Sequence, residues 1–164
     1  MGFFDKARTF LGGHGCKVEI TRLERQDPSD VAFPMHDSVF KGNFRITAGR
    51  PCTVLAHLFE VCVMRKHADG REEVVVLGED RHDEKTEIIG SELKWPYEMN
   101  EGEAKEDSFL VSGIDIPGAL DRMGYLNPRA AIAMPELTFF VRVTADVKGT
   151  PLDADAKVQF KVVE

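Results

Sequence analysis

Residues 52–66, CTVLAHLFEVCVMRK, followed by the turn signal Asp69-Gly70 and by REEVVVLGE at 71–79, decide how this chain folds. The apolar residues of 52–66 occupy both parities, so periodicity alone leaves helix and strand open. The β-branched content and the Asp69-Gly70 turn favour a strand, with 71–79 as its hairpin partner. A strand this long and this apolar belongs in the centre of a sheet. A bulge is expected near His57 or Glu60, where an extra residue would re-aim the chain.

Working outward, period-two patterning recurs. Residues 17–24 (KVEITRLE) read as a strand. Residues 38–47 place Phe40, Gly42, Phe44 and Ile46 on one face, and Lys41, Asn43 and Arg45 on the other. Between them, 27–37 reads as a loop on the strength of Pro28, Ser29, Asp30, Pro34 and Asp37. Gly49-Arg50-Pro51 is a turn. Further on, 80–87 (DRHDEKTE) reads as a charged loop, and 87–95 as a strand closed by Trp95-Pro96-Tyr97. Residues 100–107 are acidic and polar, and Phe109 to Ile116 is a strand candidate. Pro117 to Gly124 suits one or two helical turns, with proline at the start and glycine at the end. Residues 125–135, with Pro128 and Pro135, stay unassigned. The segments 136–147 (ELTFFVRVTADV) and 156–163 (AKVQFKVV) are strands joined by a turn region at Gly149, Pro151 and Asp153. No βαβ alternation appears. The pattern predicts an all-β, immunoglobulin-like antiparallel sandwich of about eight strands.

The N-terminus differs. Phe3, Phe4, Ala7, Phe10 and Leu11 recur at helical spacing and form one apolar stripe. Gly12, Gly13 and Gly15 end it. The expected organisation is a short amphipathic helix and glycine-rich bend over 1–15, then one sandwich domain over 16–164. Such a short helix is marginal alone and must dock on something.

Composition narrows the function. The chain has 164 residues, 43% hydrophobic and 30% charged, which is globular. A net charge of −7 argues against broad nucleic-acid binding, which needs a basic footprint. Three cysteines, Cys16, Cys52 and Cys62, with no C-x-x-C pair, argue against a disulfide scaffold or a structural zinc site. No apolar run is long enough to span a bilayer, and Asp5, Lys6, Arg8 and Thr9 interrupt any signal-peptide core. Lys6 stands where a myristoylation signal needs Ser or Thr. The expected location is cytoplasmic.

Three stretches resemble a known family. GFFDKARTFLGGHGCKVEI at the start, DSVFKGNFRITAGRPCTVLAHLFEV, and VRVTADVKGTPLDADAKVQFKV near the end are similar to the arrestin-like sandwich family, most closely its bacterial sporulation-control-protein-like branch. Trp95-Pro96-Tyr97-Glu98 resembles that family's Pro-Tyr-Glu turn. Met35-His36-Asp37 departs from the family's Pro-Gly-Glu, and about 106–134 looks inserted. The resemblance implies one sandwich half of an adaptor or scaffold that binds proteins, without a cofactor and without a reaction.

The remaining motifs agree with a non-enzyme. Ile89-Gly90-Ser91-Glu92 and Val111-Ser112-Gly113 lack the glycine spacing of a serine nucleophile elbow. Cys16 lies near His14 in sequence, but no base or orienter can be placed for it. His82-Asp83-Glu84, and Asp146 with Asp153 and Asp155, offer metal-ligand types without EF-hand spacing. His57, inside the apolar strand, reads as a hydrogen-bonded core histidine. Two surfaces are expected to meet a protein partner or a second copy of the chain: the helix stripe Phe3, Phe4, Ala7, Phe10 and Leu11, and the closing strand, read as an open edge, through Val158, Phe160 and Val162. Membrane-surface contact is disfavoured because only Lys6 and Arg8 supply basic charge to the helix. The rival readings are a metal-dependent or hydrolytic sandwich enzyme built on His57, His67 or His82 with carboxylates, and a carrier of a small apolar ligand between the sheets.

Overall fold

The computed structural model describes residues 15–24, 26–27, 30–86, 94–150 and 153–164. Among these residues ten strands and two short helices follow in the order β1 (Cys16–Leu23), β2 (Gln26–Asp27), β3 (Asp30–Pro34), β4 (Val39–Ala48), β5 (Cys52–Lys66), β6 (Glu72–Asp83), β7 (Tyr97–Met99), β8 (Ala104–Ser112), α1 (Ile116–Arg122), α2 (Pro128–Ala131), β9 (Leu137–Val147) and β10 (Ala154–Val163). They form two sheets. The smaller has the order β1-β4-β8, and the larger β2-β3-β10-β9-β5-β6, with β7 continuing beside β5.

The long apolar run is a central strand. β5 has β9 on one side and β6, then β7, on the other. This explains why it is apolar on both parities: its inward residues His57, Phe59, Val61 and Val63 face the small sheet, while Cys62 is sheltered on the opposite face. The hairpin to β6 turns at Gly70, whose φ of 86° suits a residue without Cβ. The bulges lie at Val54/Ala56 against β9 and at Val61/Cys62 against β6, either side of the expected positions.

The core fills the space between the sheets. Phe40, Phe44, Ile46, Phe109 and Val111 on the small sheet meet Val54, Phe59, Val141, Val143 and Phe160 on the large one. Each fully buried side chain of this size contributes about 1.5–3 kcal/mol of transfer free energy. Phe59 and Phe109 stack at 5.1 Å and 7°, and Phe40 stands 5.0 Å from Phe160. Gly42 makes the first stack feasible. A Cβ there would come within 2.6 Å of Phe109 Cζ and 2.8 Å of the Arg22 carbonyl oxygen.

Several expectations need correction. The segment 27–37 is not all loop: β3 lies in the large sheet, and Val31, Phe33 and Met35 alternate into the core. Pro34 is tolerated because it stands at the strand end. β3 joins β10 in a parallel pair, so the sandwich is not purely antiparallel. The charged stretch from residue 80 is not a loop until Asp83. His82 is turned inward against Phe59 while Arg81 pairs with Asp83 outside at 2.8 Å, so the charge conceals an alternation. The polar segment 100–107 enters β8 at Ala104. Residues 106–134, read as inserted, begin within β8 and continue into α1 and α2, where Asp115 and Asn127 cap the helices. The proposed strand 87–95 falls mainly on residues outside the described set, as does the N-terminal helix.

Candidate functional site

The helix stripe Phe3, Phe4, Ala7, Phe10 and Leu11 lies outside the described residues. The second predicted surface is placed differently from expectation. β10 pairs with β9 over Ala154–Phe160 and with β3 over Lys161–Val163, so its last three residues are laddered to β3 rather than left as an open end. Phe160 and Val162 are buried in the core, and Val158 packs half-buried against it. The strand looked like an edge because the residues that cover it, β3, were read as loop.

Among the described residues, the long open edge is β6. It has twelve residues, against eight for β1, nine for β8, three for β7 and two for β2, the other described strands with a ladder on one side only. Among the described residues its ladder partner is β5 alone. Its register with β5 sets Val74 opposite Met64 and Val76 opposite Cys62, on the face turned away from the core. Both valines are exposed, at 46% and 43%. Glu72 and Glu79 flank them on that face, and Leu77 is the extra residue of the bulge that precedes Gly78. A Cβ on Gly78 would lie 3.0 Å from Ile114 and 3.1 Å from Val111, so glycine lets β6 close against β8. An apolar, long and open edge is a template for strand addition, and natural sheets usually blunt such edges with charge or proline. Here charge stands at both ends of the valine run and none within it.

Behind this edge the sheet carries a half-buried ion pair. Arg142 donates to Glu60 at 2.7 Å across β5 and β9, and this hydrogen bond holds the guanidinium further above its ordinary range. Burial pushes the neighbouring Cys62 thiol up to about 11, with Glu60 adding to the effect. That thiol is therefore a small apolar side chain and a poor nucleophile. Cys16 is pushed up to about 12 by burial, and Cys52 is raised for the same first reason.

The histidines separate. His57 is buried between the sheets and shares a hydrogen bond of 2.7 Å with the Tyr97 hydroxyl. Burial, then the charge of His82, lowers its pKa to about 3. His57 Nδ1 and Trp95 Nε1 have no hydrogen-bond partner among the described residues, and the two rings meet edge to face at 4.7 Å. The Trp95–Pro96 peptide is cis. His67 pairs with Glu73 at 2.9 Å near the hairpin turn. His82 pairs with Asp80 at 3.0 Å.

His82 and Asp80 also line an open cleft of about 570 Å³, with Arg22, Lys41, Asn43 and Ser108 across it. A carboxylate that orients a histidine beside a serine has the residue types of a relay. The relay has no first link, because Ser108 makes no side-chain hydrogen bond to His82. Among the described residues no group of three His, Cys, Asp or Glu is placed to hold a metal ion. No described helix is long and apolar enough to cross a membrane.

Fold and surface define an all-β sandwich with, among the described residues, one long open edge. No protein-family model matches the chain, and no curated protein matches it in sequence. Among solved structures it is similar to the sporulation control protein Spo0M from Bacillus subtilis, with a TM-score of 0.61 and 12% identity, over 92% of this chain and 50% of that one. The chain thus spans about half the length of that protein. At this identity the likeness is one of fold, and it agrees with the sporulation-control-like resemblance of the sequence.

Proposed function

We propose that the chain is a non-enzymatic protein-interaction module, an arrestin-like adaptor or regulatory scaffold, which receives a partner along the open edge of β6. The observation that carries this reading is the pair of exposed valines, Val74 and Val76, on a twelve-residue edge strand. Main-chain pairing to an added strand supplies affinity, and alternate side chains supply selectivity. The fold likeness to a sporulation control protein supports a regulatory role. The sequence supports a cytoplasmic setting, no cofactor, and a second contact through Phe3, Phe4, Ala7, Phe10 and Leu11.

A photo-crosslinking residue at position 76, and another at Asn43 on the opposite sheet, test the edge in cells. The reading expects a discrete partner adduct from position 76 that is absent from position 43. Equal adducts from both positions, or none, would remove the edge from the function. Deleting residues 1–12 in the same assay tests the helix stripe, and an unchanged adduct would discard it.

One observation favours a second reading: Ser108, His82 and Asp80 line one cleft. A hydrolase would lose turnover of an activated ester on Ser108→Ala and on His82→Ala alike. Turnover equal to that of free imidazole, and insensitive to both changes, would sink it.

A further inference from the structure

We infer that the strand received by β6 is an extended peptide whose two apolar side chains are flanked by basic ones. The inference rests on the edge reading above and specifies the chemistry of the partner. The outward face of β6 runs Glu72, Val74, Val76, Glu79. An added strand presents side chains to the same face at alternate positions, so two apolar residues would lie beside the valines and the next ones out beside the two acids.

Those acids are available. Neither Glu72 nor Glu79 makes an ion pair or a side-chain hydrogen bond with a described residue. Glu79 stands opposite Glu60 in the register, and the nearby cation Arg142 is committed to Glu60 at 2.7 Å. Arg81, the next outward residue after Glu79, is held by Asp83 at 2.8 Å. Glu72 is opposite Lys66 but unbonded to it, so Glu79 is the stronger anchor. The wider field agrees, since the chain carries a net charge of −7. A second copy would bring that same charge and the same acids to the edge, which disfavours self-pairing.

The test uses the full chain, isotope-labelled, titrated with three blocked heptapeptides: KTVTVTK, STVTVTS and ETVTVTE. Amide shifts along 72–79 report binding. At low salt the basic peptide is expected to bind about 3- to 10-fold more tightly than the neutral one, and the acidic peptide most weakly, which is the scale of exposed ion pairs. The gap should close as salt is raised, because exposed pairs are screened. Glu79→Lys should remove most of the gap between the basic and acidic peptides, since Glu72 alone then opposes the new cation, and its own amide spectrum shows whether it is folded. Three equal affinities with shifts on β6 would overturn the charge rule and leave the edge reading standing. No shift on β6 with any peptide would overturn both. Concentration-dependent dimerisation in sedimentation, with β6 amides shifting without peptide, would assign the edge to a second copy and overturn the inference.

Discussion

His57 and Tyr97, forty residues apart in sequence, meet inside the sandwich with Nε2 and the hydroxyl 2.7 Å apart. The contact exists because β7 continues the line of β6 along β5 and so delivers Tyr97 beside the inward face of His57. A buried imidazole in such a place stays neutral.

Acid should therefore weaken the fold through His57. Its folded pKa, about 3, lies below its unfolded value of 6.5, so the unfolded chain binds the extra proton first. The stability it protects is complete above pH 6.5 and is lost as pH falls from there towards 3, at about 1.4 kcal/mol per pH unit for one proton. Urea unfolding at pH 7, 6 and 5, for the wild type and for His57→Gln, isolates this slope. Parallel curves for the two proteins would contradict it.

Tyr97→Phe keeps the ring and removes the hydroxyl. Both imidazole nitrogens then lack a partner among the described residues, since Nδ1 has none there already. A loss of about 1–3 kcal/mol is expected, the cost of stranding a buried polar group. In a double-mutant cycle with His57→Phe the loss should shrink, and strict additivity would count against the bond.

Gly42→Ala should destabilise the sandwich by about 1–3 kcal/mol, because the new methyl group meets the Phe109 ring and the Arg22 carbonyl. Pairing it with Phe109→Leu relieves one of these contacts. Thermal melts of the single and double variants check this, and a neutral Gly42→Ala would mean that β1, whose register with β4 shifts between Ile20 and Arg22, yields freely.

Arg142→Met should cost more than the double change Glu60→Leu with Arg142→Met. The single change leaves the largely buried Glu60 carboxylate without its cation, whereas the double change removes both charges. Chemical unfolding ranks the two, and the reverse order would refute the argument.

Thiol reagents should discriminate among the cysteines. Cys16 and Cys62 are buried, with thiols held at about 12 and about 11, while Cys52 is half-buried. At pH 8 the native protein should release about one equivalent of thiol chromophore quickly, from Cys52. Prompt reaction of all three, with the fold intact, would disprove the burial.

Within the chain, local pattern was enough for some elements. The strict alternation of Phe40, Gly42, Phe44 and Ile46 against Lys41, Asn43 and Arg45 determines a strand with one buried face, whatever surrounds it. The run of 52–66, apolar on both parities, with Asp69-Gly70 after it, determines a central strand and its hairpin. The family-like stretches pointed to the sandwich that the two sheets form.

Other features depended on partners far away in sequence. Val31 and Phe33 lie in a proline-bearing stretch of weak local pattern, and they form a strand because β10 offers it a ladder. That one pairing decides that Phe160 and Val162 are core rather than contact surface. Edge status is a property of neighbours, not of composition: the valines of 74–76 are apolar on both parities, like those of a central strand, and the absence of a described ladder partner beyond β6 leaves two of them facing solvent. The inward turn of His82 was hidden by the charges around it, because a residue's face is set by the sheet it joins. The sequence determined that the chain makes paired sheets, since alternation is local. Only the tertiary structure decided which strand ends the sheet, since that is settled by what lies beside it.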